Sequence, residues 1–276
     1  MTTRAGDYRA LFDLRGRVAV VTGAAGILGR VFCQALADHG ADVAVVDLDE
    51  ADAEELATDL AETFGVRSCG IACDVADPAS VAAMAAEVEA RLGPCDVLHN
   101  NAATKTSDLA AFFAEPEDMS LETWREVMGV NLDGMFLVAR ELGAGMARRG
   151  RGSIVQTASI YGMAAPDQRI YEGSRYLGQR ISTPVSYSTS KAGVVGLTRH
   201  LASHWAGAGV RVNALVPGGV RSGQNDTFIE RYSQRIPMGR MAEASEMAGA
   251  LVYLASDASS YVTGETLAVD GGLLTW

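Results

Sequence analysis

Tyr187 and Lys191 stand four residues apart in Tyr187-Ser-Thr-Ser-Lys191, and Lys191 is one of only two lysines among 276 residues, the other being Lys105. On a helix that spacing puts both side chains on one face, one turn apart. An ammonium group beside a phenol favours the ionised form, which makes a general base of tyrosine. Free tyrosine titrates near pH 10, and lowering that by about 3 favours the phenolate by roughly 4 kcal/mol. The competing reading, a pair on a helix surface, has no need of chemistry.

A second group of residues suits a phosphate. Val18-Ala-Val-Val-Thr-Gly23-Ala-Ala-Gly26-Ile-Leu-Gly29 reads as a strand, a glycine turn and the start of a helix. Glycines let the backbone approach a pyrophosphate, whose charge is favoured by the free N–H groups of a helix N-terminus. Gly23, Gly26, Ile27, Leu28 and Gly29 are therefore candidate cofactor contacts. Asp47, 18 residues beyond Gly29, ends the next apolar run, where a carboxylate accepts hydrogen bonds from an adenosine ribose and repels a 2′-phosphate. Leu48 follows it and offers no cation, so NAD is expected over NADP, with Arg30 as the contrary sign. Asp74 and Val75 after the third run, and Asn101 and Ala102 after the fourth, continue the same edge.

The elements that must position these residues follow from periodicity. Short apolar runs at Val18–Val21, Val43–Val46, Arg67–Cys73, Asp96–His99, Ser153–Gln156, Val210–Asn213 and Thr266–Val269 alternate with alanine-rich segments of helical period. The helices are predicted at Leu28–His39, Glu50–Phe64, Pro78–Leu92, Leu121–Arg149, Tyr187–Ala206 and Glu243–Ala255. Such alternation predicts βαβ units and a Rossmann-like, doubly wound parallel sheet in a single domain over residues 11–276, preceded by an arm over residues 1–10. Two irregular segments, 164–185 and 218–240, are the expected substrate loop and lid, because long loops in compact domains usually bind or cover ligands.

Net charge −11 excludes nucleic acid or an anionic membrane as the main partner, since like charges repel. The N-terminus has no apolar stretch like a signal sequence, and nothing approaches the roughly 18 apolar residues of a membrane span. A cytoplasmic protein acting on a small molecule is expected. The four cysteines lack the paired spacing of a zinc site, and His200 and His204 lack a third ligand, so no metal is expected.

In order and spacing these residues resemble the short-chain dehydrogenase/reductase family from about Leu11 to Gly272. The landmarks are Thr22-Gly23 to Gly29, Asp74, Asn100-Asn-Ala102, Asn131, Ser159, Tyr187-x-x-x-Lys191, Pro217-Gly218 and Val269-Asp-Gly-Gly272. The resemblance implies a seven-stranded sheet, a homotetramer (a dimer is the alternative) and hydride transfer between nicotinamide and an alcohol or carbonyl. It implies that Tyr187 exchanges the substrate proton, that Lys191 holds the cofactor ribose and tunes Tyr187, that Ser159 bonds the substrate oxygen, and that Asn131 anchors a proton-relaying water. Pro217, Gly218 and Val220 are implied cofactor contacts. Two departures stand out. Ile27 takes the usual middle-glycine position, and 28 residues separate Ser159 from Tyr187, about fifteen more than is usual.

The inserted segment carries Arg169, Arg175 and Arg180, which with Tyr161 and Ser159 are candidate substrate contacts able to hold a carboxylate or phosphate. A sugar or sugar acid is the expected substrate. The alternative for the arginines is pairing with the chain's own acids. Ser159 to Gly173 also resembles, more weakly, an insertion in family members of nonulosonic-acid sugar pathways. A general polyol or hydrophobic alcohol dehydrogenase, and a nucleotide sensor without turnover, are the rival functions.

Overall fold

The apolar runs become strands buried on both faces, which is why they are nearly continuous in valine and alanine rather than alternating. In the computed structural model, which describes residues 7–176 and 178–276, the strands are β1 (Val18–Thr22), β2 (Asp42–Asp47), β3 (Ser68–Ala72), β4 (Val97–Asn100), β5 (Gly152–Thr157), β6 (Arg175–Tyr176), β7 (Gln179–Arg180), β8 (Val210–Pro217) and β9 (Thr266–Val269). The first six residues of the expected arm lie outside the described residues; Arg9–Phe12 form a 3₁₀ turn.

Seven strands make one parallel sheet in the order β3-β2-β1-β4-β5-β8-β9, and β6 and β7 form a separate antiparallel hairpin. The helices are α1 (Ile27–Asp38), α2 (Glu50–Phe64), α3 (Pro78–Arg91), α4 (Leu109–Phe112), α5 (Leu121–Met128), α6 (Met135–Arg149), α7 (Val185–Trp205), α8 (Asp226–Ser233) and α9 (Ala248–Ala255). Successive side chains of β1 serve opposite faces. Val18 and Val20 join a core with Val138, Met146 and Ile154, whereas Ala19 and Val21 join Phe32, Leu36 and Leu251. The chain reverses direction of winding between β1 and β4, the crevice where open α/β sheets bind ligands.

Three parts differ from the pattern read in the sequence. The single helix expected over Leu121–Arg149 is interrupted at Gly129–Gly134 by a π-helical turn. The lid segment contains α8, whose N-terminus is capped by Asn225 accepting from the backbone N–H of Phe228. The inserted loop is built, not irregular: a 3₁₀ turn at Gln168–Tyr171 leads into the β6–β7 hairpin. A third core joins insertion and lid, with Ile170 packed among Phe228, Tyr232, Ile236 and Met241 above Ile160 and Val194.

Candidate active site

Asn131, Ser159, Tyr187 and Lys191 come from three elements that meet at the carboxyl edge of the sheet: the π turn, the end of β5 and two turns of α7. Lys191 is buried, and its ammonium donates to the Thr157 carbonyl at 2.8 Å. Its Nζ lies 6.0 Å from the Tyr187 ring centroid, the one-face arrangement that the four-residue spacing predicts. Burial pulls Lys191 down to about 8, because desolvation penalises the charged form. Tyr187 is pushed above the ordinary tyrosine value by burial, against a hydrogen bond from Ser159 that favours the phenolate. Ser159 thus stands beside the phenol where a substrate oxygen would be shared. Ser159 Oγ also accepts from the backbone N–H of Tyr161 at 3.2 Å, which fixes the start of the next turn.

The π turn has a tertiary cause and a local effect. Packing holds it from both sides: a Cβ on Gly134 would lie 2.8 Å from a Val75 methyl, and one on Gly193 of α7 would lie 2.7 Å from Leu132. The extra residue per turn directs Asn131 inward, fully buried. Its Oδ1 accepts from the Thr104 backbone N–H at 2.8 Å, and its Nδ2 faces Ser190 Oγ at 3.5 Å.

The glycine turn fits a dinucleotide. Gly23 has φ +61°, and a Cβ there would lie 2.8 Å from the Ala102 Cα; a Cβ on Gly29 would lie 2.2 Å from the Gly23 carbonyl oxygen. Both glycines are therefore required for strand, turn and helix to approach. Helix α1 starts at Gly26 without a side-chain cap, whereas α2 and α3 are capped by Asp49 and Asp77. Its first N–H groups are the ones left for a phosphate. Ile27 and Leu28 form that first turn, with Ile27 58% exposed at the mouth of the crevice.

Asp47 accepts from the Ala25 and Leu48 backbone N–H groups, both at 2.8 Å, so its carboxylate is fixed against the glycine turn. Arg30 does not face away: its Nε donates to the Ala25 carbonyl at 2.9 Å. Asn101 ties the crevice together, donating to the carbonyls of Thr22 and Gly23 and accepting from Thr157 Oγ1, all at 3.2 Å. The Thr22 hydroxyl accepts from the backbone N–H groups of Asn101 and Ala102. Asp74 is exposed at the edge beside buried Val75. At the far wall, Gly218 donates to the Val269 carbonyl after Pro217, and Val220 bridges Ala242.

The three arginines of the insertion are engaged elsewhere. Arg169 makes a two-pronged pair with Asp167, Arg175 donates to Gly178 within its own hairpin, and Arg180 lies 3.7 Å from Glu115. All three are exposed, and none of these bonds involves a residue of the Asn131–Ser159–Tyr187–Lys191 set. Each arginine thus has a partner within the chain, the alternative that the sequence left open.

Sequence reasoning missed Thr157, His99 and Tyr171. Thr157 gives its carbonyl to Lys191, while its hydroxyl bonds Asn101 and lies 3.3 Å from His99 Nε2. Desolvation holds His99 near 3, so it stays neutral and edge-on to Phe32. No motif marks a strand-end threonine or a buried histidine.

The family follows from these landmarks together with two comparisons. A family model described as enoyl-(acyl carrier protein) reductase matches residues 23–274. Galactitol 2-dehydrogenase (L-tagatose-forming) of Cereibacter sphaeroides is 40% identical over 98% of this chain and 100% of its own. The chain belongs to the short-chain dehydrogenase/reductase family. D-threitol dehydrogenase of Mycolicibacterium smegmatis is 39% identical over 98% of both chains. A solved gluconate 5-dehydrogenase of Burkholderia cenocepacia, in complex with NADP and tartrate, is 32% identical with TM-score 0.85, covering 96% of this chain and 98% of that one. The likeness of the insertion to nonulosonic-acid pathway members is not borne out. These relatives are named for polyols and a sugar acid, and the first two match along nearly all of this short-chain dehydrogenase/reductase.

Proposed function

We propose that this short-chain dehydrogenase/reductase interconverts a secondary hydroxyl of a polyol and the corresponding ketone, with Tyr187 as general acid–base and NAD as the preferred cofactor. The observation that carries the chemistry is Lys191, buried and bonded to the Thr157 carbonyl 6.0 Å from the Tyr187 ring, at the sheet edge that also holds Ser159 and the uncapped N-terminus of α1. Polyol is favoured over sugar acid because the insertion's arginines are spent on Asp167, Gly178 and Glu115. The two curated relatives named for polyol oxidation point the same way.

Gly23, Gly29 and the first turn of α1 would hold the pyrophosphate, and Asp47 the adenosine ribose. The bound nicotinamide supplies the acceptor for the hydride leaving the carbinol carbon. Tyr187 takes the hydroxyl proton in the same oxidation and returns it in reduction. Ser159 holds the oxygen on which charge develops. Lys191, anchored by Thr157, supplies the positive charge that lowers the Tyr187 phenol when the site is assembled. Asn131 secures the wall beside α7 through Thr104 and Ser190. The exposed apolar side chains of Leu121 and Phe136 on α5 and α6 would pack against further copies in a homotetramer.

The test is turnover of galactitol, D-threitol, gluconate and hydrophobic secondary alcohols with NAD and with NADP. At least one polyol should be oxidised, faster with NAD and faster at alkaline pH, since the base must be deprotonated. Tyr187→Phe should lower kcat by about 10²–10⁴-fold. Cofactor binding without oxidation of anything in the panel would instead mark a nucleotide sensor.

A further inference from the structure

The insertion's contribution near Tyr187 is a phenol. Tyr171, in the 3₁₀ turn of the insertion, points its ring inward and stacks on Phe228 of α8 at 5.3 Å between centroids, 30° apart. Its hydroxyl is 2.6 Å from Thr183 Oγ1. Thr183 is itself held at both backbone ends by one side chain: Gln168 Nε2 donates to its carbonyl at 2.9 Å, and Gln168 Oε1 accepts from its N–H at 3.1 Å. The two ends of the insertion are thus clasped, and the clasp aims a hydroxyl at Tyr171.

Tyr161 meets the same group from below. It follows Ser159 by two residues, on a turn pressed against α7: a Cβ on Gly162 would lie 2.5 Å from the Lys191 carbonyl oxygen. Its phenol lies beside those of Tyr171 and of Tyr232 on α8, near enough for each to influence its ionisation. The Tyr232 ring sits where a Cβ on Gly219 would be, 2.2 Å away. Tyr171 and Tyr232 both lie close enough to Tyr187 to interact with it electrostatically. Desolvation keeps Tyr161, Tyr171 and Tyr232 as neutral phenols, able both to donate and to accept.

Insertion and lid also close as one body. Arg231 of α8 donates to the carbonyls of Arg169 and Glu172, and Arg235 pairs with Asp167. At the roof of the Tyr187 site, hydrogen bonds tie Tyr171 to Thr183 and Thr183 to Gln168, with the phenols of Tyr161 and Tyr232 beside them. A ligand that enters beneath this roof must replace those bonds or leave buried hydroxyls unmatched.

We infer that Tyr161, Tyr171 and Thr183 form a hydroxyl-reading wall that binds a second hydroxyl of the substrate, so that preference for polyols over monohydroxy alcohols resides in the insertion's phenol. The inference rests on the polyol reading of the site. A polyol hydroxyl donates to one phenol and accepts from another, keeping every buried oxygen paired, whereas a monohydroxy alcohol offers only the group that Tyr187 and Ser159 already hold. A site built to bond a hydroxyl rejects analogues lacking it more strongly than an apolar pocket rejects extra size.

The test compares kcat/KM for galactitol and D-threitol with that for cyclohexanol and 2-butanol in the full-length protein and in Tyr171→Phe, Tyr161→Phe and Thr183→Val. Each variant removes a hydroxyl and keeps the packing volume. The polyol-to-monohydroxy ratio should fall about tenfold in Tyr171→Phe, mainly through KM for the polyol, with a smaller fall in Thr183→Val. Arg175→Ala, on the outer hairpin, should leave the ratio at the wild-type value. An unchanged ratio in the folded variants overturns the inference, even if both activities drop together, because a packing defect lowers them in parallel. Should Tyr171→Phe not fold, Tyr161→Phe and Thr183→Val decide the matter. Wild-type protein that oxidises monohydroxy alcohols and no polyol overturns the polyol reading itself, a distinct result.

Discussion

Lys191 is held in a site that disfavours its charge, and the disadvantage has a measurable sign. In the unfolded chain it titrates near 10.5, and in the folded protein at about 8. Below pH 8 it is protonated in both states, and the folded state bears the desolvation cost, of order 3 kcal/mol. Between pH 8 and 10.5 the unfolded chain binds the extra proton, so stability contributed by this site rises with pH. Lys191→Met should therefore be inactive yet melt higher than the parent protein at pH 7. The advantage is offset by about 1 kcal/mol, because the Thr157 carbonyl loses its donor. Thermal melts of both proteins from pH 7 to pH 10 should show the gap closing as pH rises; a constant gap would remove desolvated charge as its cause. The four-residue spacing of Tyr187 and Lys191 made this pair legible in the sequence. Thr157, which anchors the lysine by its backbone oxygen, was invisible there, because any residue offers a carbonyl.

Elements built on a local period were read closely, and those built on long-range partners were not. Helix α2 was expected at Glu50–Phe64 and is found there, started by Asp49 and ended by Gly65 at φ 70°. The strands of the sheet likewise sit at the apolar runs. The π turn at Gly129–Gly134 had no periodic signature, since it comes from packing against Val75 and α7. The insertion read as a loop because Gln168, Tyr171 and Thr183 find their partners only in three dimensions. The arginines are conspicuous in sequence by their charge, and in the structure they pair with Asp167, Gly178 and Glu115. Gln168→Ala should release the clasp while leaving the sheet intact. Backbone amide exchange in 168–183 should speed up about tenfold or more, corresponding to loss of bonds worth above 1 kcal/mol, with β1 and β5 unaffected. Uniform acceleration across the chain would show that Gln168 supports the whole fold instead.

At the scale of the whole molecule, two faces of one sheet are closed by helices, and no helix among the described residues is long and apolar enough to cross a membrane. Leu121, 59% exposed, and Phe136, 44% exposed, remain on the α5–α6 face. Sedimentation should give a mass about four times the 29.0 kDa of one chain. Phe136→Asp should shift it to smaller species, since a charge in an apolar contact is unfavourable; an unchanged mass would place the contact elsewhere. Each chain carries net charge −11, so an assembly must oppose considerable repulsion, and low salt should favour dissociation.

The reciprocal bonds between Gln168 and Thr183 also bear on how this enzyme could be redesigned. A segment whose two ends grip each other carries its own closure, between Ser159 before it and α7 after it. Residues 168–183 are in that sense a cassette. Moved whole, the segment takes both halves of the grip along; cut inside, it strands an amide with nothing to hold. New substrate preferences are then best sought by moving the cassette intact, while Ser159, Tyr187 and Lys191 stay where the sheet put them.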